Sequence, residues 1–259
     1  MNTLVQLGTL DLALACALVG GAIALSRLAN LGLEGQLAIA SARAILQLLA
    51  AGYLLTFVFA LNSPWAVLAT LGVMLAIASL VARNRISKKL ENLFFWVSGS
   101  LLASTAITLS YIVFVIIQPP VWYDPQYLIP LAGMIIGNAM DTATITGERL
   151  VSTIRNHPLE IETHLSLGAT PQQAVSRYRT EAIRAGLIPL LNRMMVVGMV
   201  TLPGMLTGQV LSGTDPFDAA LYQILILLAI AFANVIAVLL VAKGIIRQFF
   251  NQNSQLRAM

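Results

Sequence analysis

Glu148-Arg-Leu-Val-Ser-Thr-Ile-Arg-Asn-His157-Pro-Leu-Glu-Ile-Glu162-Thr-His-Leu-Ser-Leu-Gly168-Ala-Thr-Pro171-Gln-Gln-Ala-Val-Ser-Arg177-Tyr-Arg-Thr-Glu181-Ala-Ile-Arg-Ala-Gly186 is the one long polar interruption of an apolar chain. It carries 9 of the 26 charged residues and both histidines. Connections between packed helices usually run to about 2–8 residues. A stretch this long, with helix punctuation inside it, reads as a module outside the bilayer on which a partner docks. Around it lie seven apolar runs: Leu10–Leu25, Ile39–Leu61, Trp65–Val81, Leu93–Ile117, Tyr127–Gly147, Leu187–Leu211 and Ala219–Val241. Each approaches the length needed to cross ~30 Å of hydrocarbon. The first is the shortest, and Val5 and Leu7 could extend it.

Composition agrees. Of 259 residues, 58% are hydrophobic and only 10% charged, and the mean hydropathy is +0.83. Soluble domains carry about 25% charged residues. Transmembrane β-barrels show short alternating segments, whereas these runs are apolar all round. The fold class is therefore all-α: a polytopic membrane helix bundle of about seven spans, read as a single domain over 1–259 with the polar module at 148–186.

A net charge of +4 could suggest nucleic acid, but its placement argues for a membrane instead. With alternating helices, all fifteen Lys and Arg, from Arg27 to Arg257, fall on one side or at helix ends facing it. The opposite loops (Met1–Thr9, Asn62–Pro64, Gln118–Gln126, Ser212–Asp218) hold none. The positive-inside bias then predicts an outer amino terminus, a cytoplasmic carboxyl terminus and a cytoplasmic polar module. No positively charged leader precedes the first run. The single cysteine, Cys16, excludes an internal disulfide and any multi-cysteine metal site. Arg83-Asn-Arg-Ile-Ser-Lys-Lys89 reads as a topological anchor meeting anionic lipid.

Within the module the punctuation is specific. Gly168 can adopt positive φ and stop a first helix ending at Leu167. Thr170 is a good N-cap, Pro171 suits the first turn, and Gln173 completes a capping box. A second helix is expected from Pro171 towards Ala185 and the next span. Leu165 and Leu167 offer apolar contacts, Gly168, Ala169, Thr170 and Pro171 shape the bend, and Glu162 supplies charge. His157 and His164 lack the further ligands of a metal site and read as surface residues.

This glutamate-to-glycine spacing, Glu162 to Gly168, resembles the cytoplasmic coupling loop of ABC-transporter permeases, which seats in a cleft of the nucleotide-binding subunit. One departure is that importer permeases end the loop with an Ile-x-Leu-Pro-like string, where this chain has Tyr178-Arg-Thr-Glu181. The following span, Leu187-Ile-Pro-Leu-Leu-Asn192-Arg-Met-Met-Val-Val-Gly198-Met-Val-Thr-Leu-Pro203-Gly-Met-Leu-Thr-Gly208, resembles the signature span of the Fet-type iron-export ABC permease family, relatives of plant aluminium-tolerance ABC subunits. Ile129-Pro-Leu-Ala-Gly133-Met-Ile-Ile-Gly137-Asn-Ala-Met140 is similar to that family's preceding span. The resemblance implies a non-catalytic permease of the bacterial plasma membrane that exports iron or another metal ion. It implies a homodimer and a separate ABC ATPase carrying ATP and Mg, with no cofactor bound by this chain. Consistently, no Gly-x-x-x-x-Gly-Lys-Ser/Thr phosphate loop occurs.

Asp141 is the only carboxylate within the middle-to-inner part of a span, a costly placement that usually faces a cavity or a partner. By spacing, Gly137, Asp141, Thr144 and Glu148 share a face flanked by Asn138. This oxygen-rich stripe could admit a divalent cation, with Asp141 the candidate metal ligand. The alternative is an ion pair with Arg43 or Arg193. Asn192, Met195 and Pro203 are further path candidates. Pro189 and Pro203 predict a kinked or unwound sixth span. Met194, Met195, Met199 and Met205 crowd that span either as soft-metal ligands or, more ordinarily, as packing residues. Gly133-x-x-x-Gly137 and Gly204-x-x-x-Gly208 permit close helix approach, either within one subunit or between two copies. An ATP-independent secondary transporter or channel is the competing function; it would want more intramembrane charge or a repeat, and the chain shows neither.

Overall fold

The computed structural model describes residues 8–251 and 255–256. Val5, Leu7, most of the Met1–Thr9 loop and Arg257 lie outside the described residues. The chain is all-α. The helices are α1 (Thr9–Leu28), α2 (Glu34–Leu61), α3 (Pro64–Ile86), α4 (Leu93–Tyr111), α5 (Pro125–Asn156), α6 (Pro158–Ser166), α7 (Pro171–Ala174), α8 (Ser176–Val196), α9 (Gly204–Leu211) and α10 (Pro216–Phe249). A π-helical stretch, Ile112–Ile117, continues α4. Among the described residues five helices are long and apolar enough to cross a membrane: α2, α3, α4 with its π extension, α5 and α10. Of the other two expected spans, the first is α1, whose apolar part is Ala13–Leu28. The sixth is divided between α8 and α9.

Five helices (α3, α5, α6, α7 and α10) begin at a proline, where φ is preset and the missing N–H would be unpaired in any case. Asp124 and Asp215 cap two of them, accepting from the Gln126 N–H at 2.9 Å and the Phe217 N–H at 2.8 Å.

The chain forms two compact units, residues 1–62 with 211–213, and residues 63–210 with 214–259. In the first, α1 packs on α2. Their connection turns through Asn30 and Gly32, both at positive φ, and Ser26 Oγ donates to Glu34 Oε1 at 3.2 Å.

The second unit is organised around α5, which packs against α3, α4, α8 and α10. Lipid supplies no hydrophobic drive between helices, so close packing and interhelical hydrogen bonds hold them. Within the chain the tight crossings fall at Gly147, Gly186 and Gly244, and the Gly-x-x-x-Gly pairs make none. A Cβ on Gly147 would lie 2.6 Å from Ile86 Cδ1, and one on Gly244 would lie 2.7 Å from Trp96 Cγ. On Gly186 it would strike the Thr146 hydroxyl and come within 2.9 Å of the Thr142 carbonyl oxygen. Gly137, Gly204 and Gly208 have open space in the same position, and Gly133 meets only the Met74 methyl at 3.0 Å. The spacing motif marks where helices can approach; neighbours decide where they do. Arg247 completes the α4–α10 crossing, its guanidinium 5.5 Å above the Trp96 ring.

One polar link crosses this interior. Asn234 on α10 is 0% exposed, and its Nδ2 donates to Thr142 Oγ1 at 2.9 Å. Thr142 Oγ1 donates in turn to the Asn138 carbonyl at 2.8 Å.

Candidate functional site

The elbow grows out of two helices that also reach into the apolar bundle. α5 does not stop where its apolar run ends at Gly147 but continues to Asn156. α8 starts at Ser176 inside the polar stretch and leads directly into the next run. The polar stretch is therefore mostly the projecting ends of α5 and α8, which pack on each other, joined by α6 and α7.

The bend is built as the sequence predicts. α6 ends at Ser166, Gly168 takes φ +90°, and the Gly168 and Ala169 N–H groups donate to the Leu165 and His164 carbonyls, each at 3.0 Å. Thr170 caps α7: the Gln173 N–H donates to Thr170 Oγ1 at 3.3 Å, and the Thr170 N–H donates to Gln173 Oε1 at 2.8 Å. One expectation needs correction. The second helix is not continuous from Pro171, because Val175 (φ −107°, ψ 9°) separates the four-residue α7 from α8. Val175 and Ala174 are buried, so this step turns the elbow's apolar side inward.

Ile161 and Tyr178 are buried alongside them, while Glu162, Leu167, Gly168 and Thr170 are exposed and Leu165, Ala169 and Pro171 half-buried. Leu159 and Leu167 are 78% and 80% exposed in the charge-rich part of the chain. The sequence reading missed Leu159. The signal was the α6 pattern itself, where Ile161 turns inward and leaves Leu159 on another face.

Behind the bend, Arg149, His157, Glu160, Arg177, Tyr178 and Glu181 line a cavity of about 230 Å³. His157 Nδ1–H donates to the Thr153 carbonyl at 3.0 Å, and its ring lies 5.3 Å from that of Tyr178. Tyr178 is 6% exposed. Burial first, and the nearby Glu160 carboxylate second, push its phenol up to about 12. The folded state thus keeps the proton above pH 10 while an unfolded tyrosine loses it. The stability this gives is complete below pH 10 and is lost as pH rises from 10 to about 12. Tyr178→Phe is expected to flatten that decline, read as unfolding midpoints of the detergent-purified protein between pH 9 and 12.

The membrane face predicted on α5 divides. Asp141 and Glu148 are exposed and Asn138 is half-buried, but Thr144 is buried and donates to the Met140 carbonyl at 2.7 Å. Among the described residues of its own unit Asp141 forms no ion pair; Arg193 Nε instead donates to the Pro189 carbonyl at 3.4 Å. Among the described residues no three His, Cys, Asp or Glu side chains come together as a metal site. Asn192 and Met195 are exposed on α8, and Pro203 is half-buried just before α9. The unwinding expected of the sixth span occurs at Val197–Pro203, with Gly198 at φ +83°. It falls after Pro189, which stays inside α8. The four methionines consequently lie on two helices and a turn rather than along one ladder. Asn234, a second residue the sequence reading missed, was hidden inside the Ala219–Val241 run, where one amide barely alters the hydropathy.

Long apolar helices, a close-packed second unit and a capped polar elbow define a multi-pass membrane protein. The chain belongs to the family described as Uncharacterised protein family (UPF0014), which matches residues 9–250. It is similar to the UPF0014 membrane protein slr1647 of Synechocystis, 55% identical over 98% of each chain. It also resembles the Protein ALUMINUM SENSITIVE 3 of Arabidopsis thaliana (36% identical over 80% of this chain and 74% of that one). A third relative is the Probable iron export permease protein FetB of Escherichia coli, 33% identical over 95% and 93%. No solved structure matches the chain.

Proposed function

We propose that this chain is the membrane subunit of an ATP-driven ABC transporter of the cell membrane, working as a homodimer that exports iron or another metal ion. The observation that carries the reading is the elbow: a capped bend with Leu159 and Leu167 exposed, held between the projecting ends of α5 and α8. Exposed leucines in water favour a protein partner. The short helices α6 and α7 join the bend to α5 and α8, which lead on into the apolar region; packed helices can carry a push that a flexible loop would absorb. The positive-inside bias puts the elbow in the cytoplasm, on the side where ATP and Mg are available to a separate ATPase. Similarity to the Probable iron export permease protein FetB of Escherichia coli supports metal export. Glu162, Leu165, Leu167, Gly168, Ala169, Thr170 and Pro171 form the docking surface in this reading. Asn138, Asp141, Thr144, Glu148, Asn192, Met195 and Pro203 lie along the substrate route, with Asp141 a cation contact.

Purification in native lipid is the test. An ABC ATPase is expected to co-purify, and cells overproducing the chain should accumulate less iron than cells lacking it. Vectorial metal movement by the chain alone in liposomes, without nucleotide, would replace this reading with that of an ATP-independent transporter or channel.

A further inference from the structure

The interruption of the sixth span poses a physical problem that the elbow does not solve. Taken together as one crossing, the apolar part of α8, Leu187 to Val196, rises ~15 Å and α9 rises ~12 Å, which puts the break between them within the hydrocarbon rather than at either surface. Met205 and Gln209 of α9 share a cavity with Pro130, Leu131 and Tyr222, near the far ends of α5 and α10, which agrees with that depth. Met199 and Val200 are 83% and 79% exposed, and Gly198, Thr201 and Leu202 are exposed as well.

The backbone within the break is only partly paired. The Val196 carbonyl accepts from the Met199, Val200 and Thr201 N–H groups, and the Thr201 carbonyl accepts from Gly198. Among the described residues, the carbonyls of Val197, Gly198, Met199, Val200 and Leu202 accept no hydrogen bond. Irregular backbone facing lipid is excluded, because each unpaired group costs several kcal/mol there; it survives only against protein or water. A second observation points to water. Arg193, one turn before the break, is exposed and has no carboxylate partner among the described residues, and a guanidinium in that position cannot face hydrocarbon either.

We propose that Val197–Leu202 forms a water-exposed constriction of the translocation path, where backbone carbonyls offer oxygen ligands to a partly dehydrated metal cation. Carbonyl oxygens suit hard cations, and unwound backbone in broken membrane helices serves cation binding elsewhere. Arg193 leaves the constriction free, since its Nε reaches back to the Pro189 carbonyl, away from the break. The metal assignment rests on the permease reading; the exposure to water does not.

The single cysteine makes the test direct. In a Cys16→Ser background, Met199→Cys, Val200→Cys and Leu202→Cys are each treated, in proteoliposomes of the full chain, with a charged, membrane-impermeant methanethiosulfonate. Ile107→Cys, exposed on α4, reports a lipid-facing thiol. Reaction at least tenfold faster at the break than at 107, slowed severalfold by millimolar Mn²⁺, is the expected result. Rates equal to that at 107 would overturn the constriction, and so would oxidative cross-linking between copies without aqueous labelling, which means protein covers the break. Fast labelling indifferent to Mn²⁺ would overturn the cation site. The labelling needs no ATPase, so its failure leaves the permease reading standing, and failure of ATPase co-purification leaves the labelling result standing.

Discussion

Leu167→Asp is expected to abolish stimulation of the partner ATPase while leaving the permease folded and inserted. Leu167 is 80% exposed at the tip of the elbow, so a polar replacement should change stability by no more than about 0.5 kcal/mol. Loss of a docking hot spot costs about 2 kcal/mol or more, roughly a thirtyfold loss of affinity. Leu165 is half-buried, which makes it the poorer site for the experiment because a charge there would also disturb the bend. Gly168→Pro should reach the same end through the backbone. Gly168 sits at φ +90° and its N–H donates to Leu165; proline can satisfy neither requirement. ATPase rates of reconstituted complexes, with the size-exclusion profile of the permease as the folding control, decide the matter. Normal coupling by a folded Leu167→Asp protein would remove the elbow from the mechanism.

Gly186→Val is expected to destabilise the second unit strongly. Here α8 crosses α5 so closely that an added Cβ would meet the Thr146 hydroxyl and lie 2.9 Å from the Thr142 carbonyl oxygen. A side-chain tip can turn away, but a helix carbonyl moves only with its helix. Overpacking of this kind costs about 1–3 kcal/mol, and the two further methyl carbons of valine put it at the upper end. A fall in melting temperature of roughly 6–12 °C follows. Gly186→Ala should be milder and partly rescued by Thr146→Ala, which removes the hydroxyl but not the Thr142 carbonyl. Gly137→Ala, facing open space, should be close to neutral. A Gly186→Val protein as stable as the parent would mean that α5 and α8 do not cross this tightly in the membrane, and that the elbow is coupled to the bundle some other way.

Membrane class, the placing of the polar elbow and its internal punctuation were all legible in the residues, because each depends on local chemistry. Apolar runs report burial in lipid. Thr170, Pro171 and Gln173 report a capped helix start, and Gly168 a reversal that needs positive φ. The α5 stripe was only half legible: spacing grouped Thr144 with Asp141 and Glu148, but neighbouring helices bury Thr144 and leave the two carboxylates exposed. Within one chain the close crossings lie away from the Gly-x-x-x-Gly pairs for a similar reason. A glycine permits approach, and whether Met74, Ile86, Trp96 or Thr146 stands opposite depends on segments far away in the chain.

By itself, then, the order of residues determined that this is a polytopic all-α membrane protein with a capped bend outside its apolar runs, since hydropathy, proline and capping act within a few residues of one another. Only the tertiary structure decided that α5 is the central helix of the second unit, that Asn234 reaches Thr142, and that the sixth span opens at Val197–Pro203, where five carbonyls accept no hydrogen bond among the described residues. Those outcomes depend on which surfaces meet across the bundle, and hydrogen bonding and steric fit between distant segments leave no local trace.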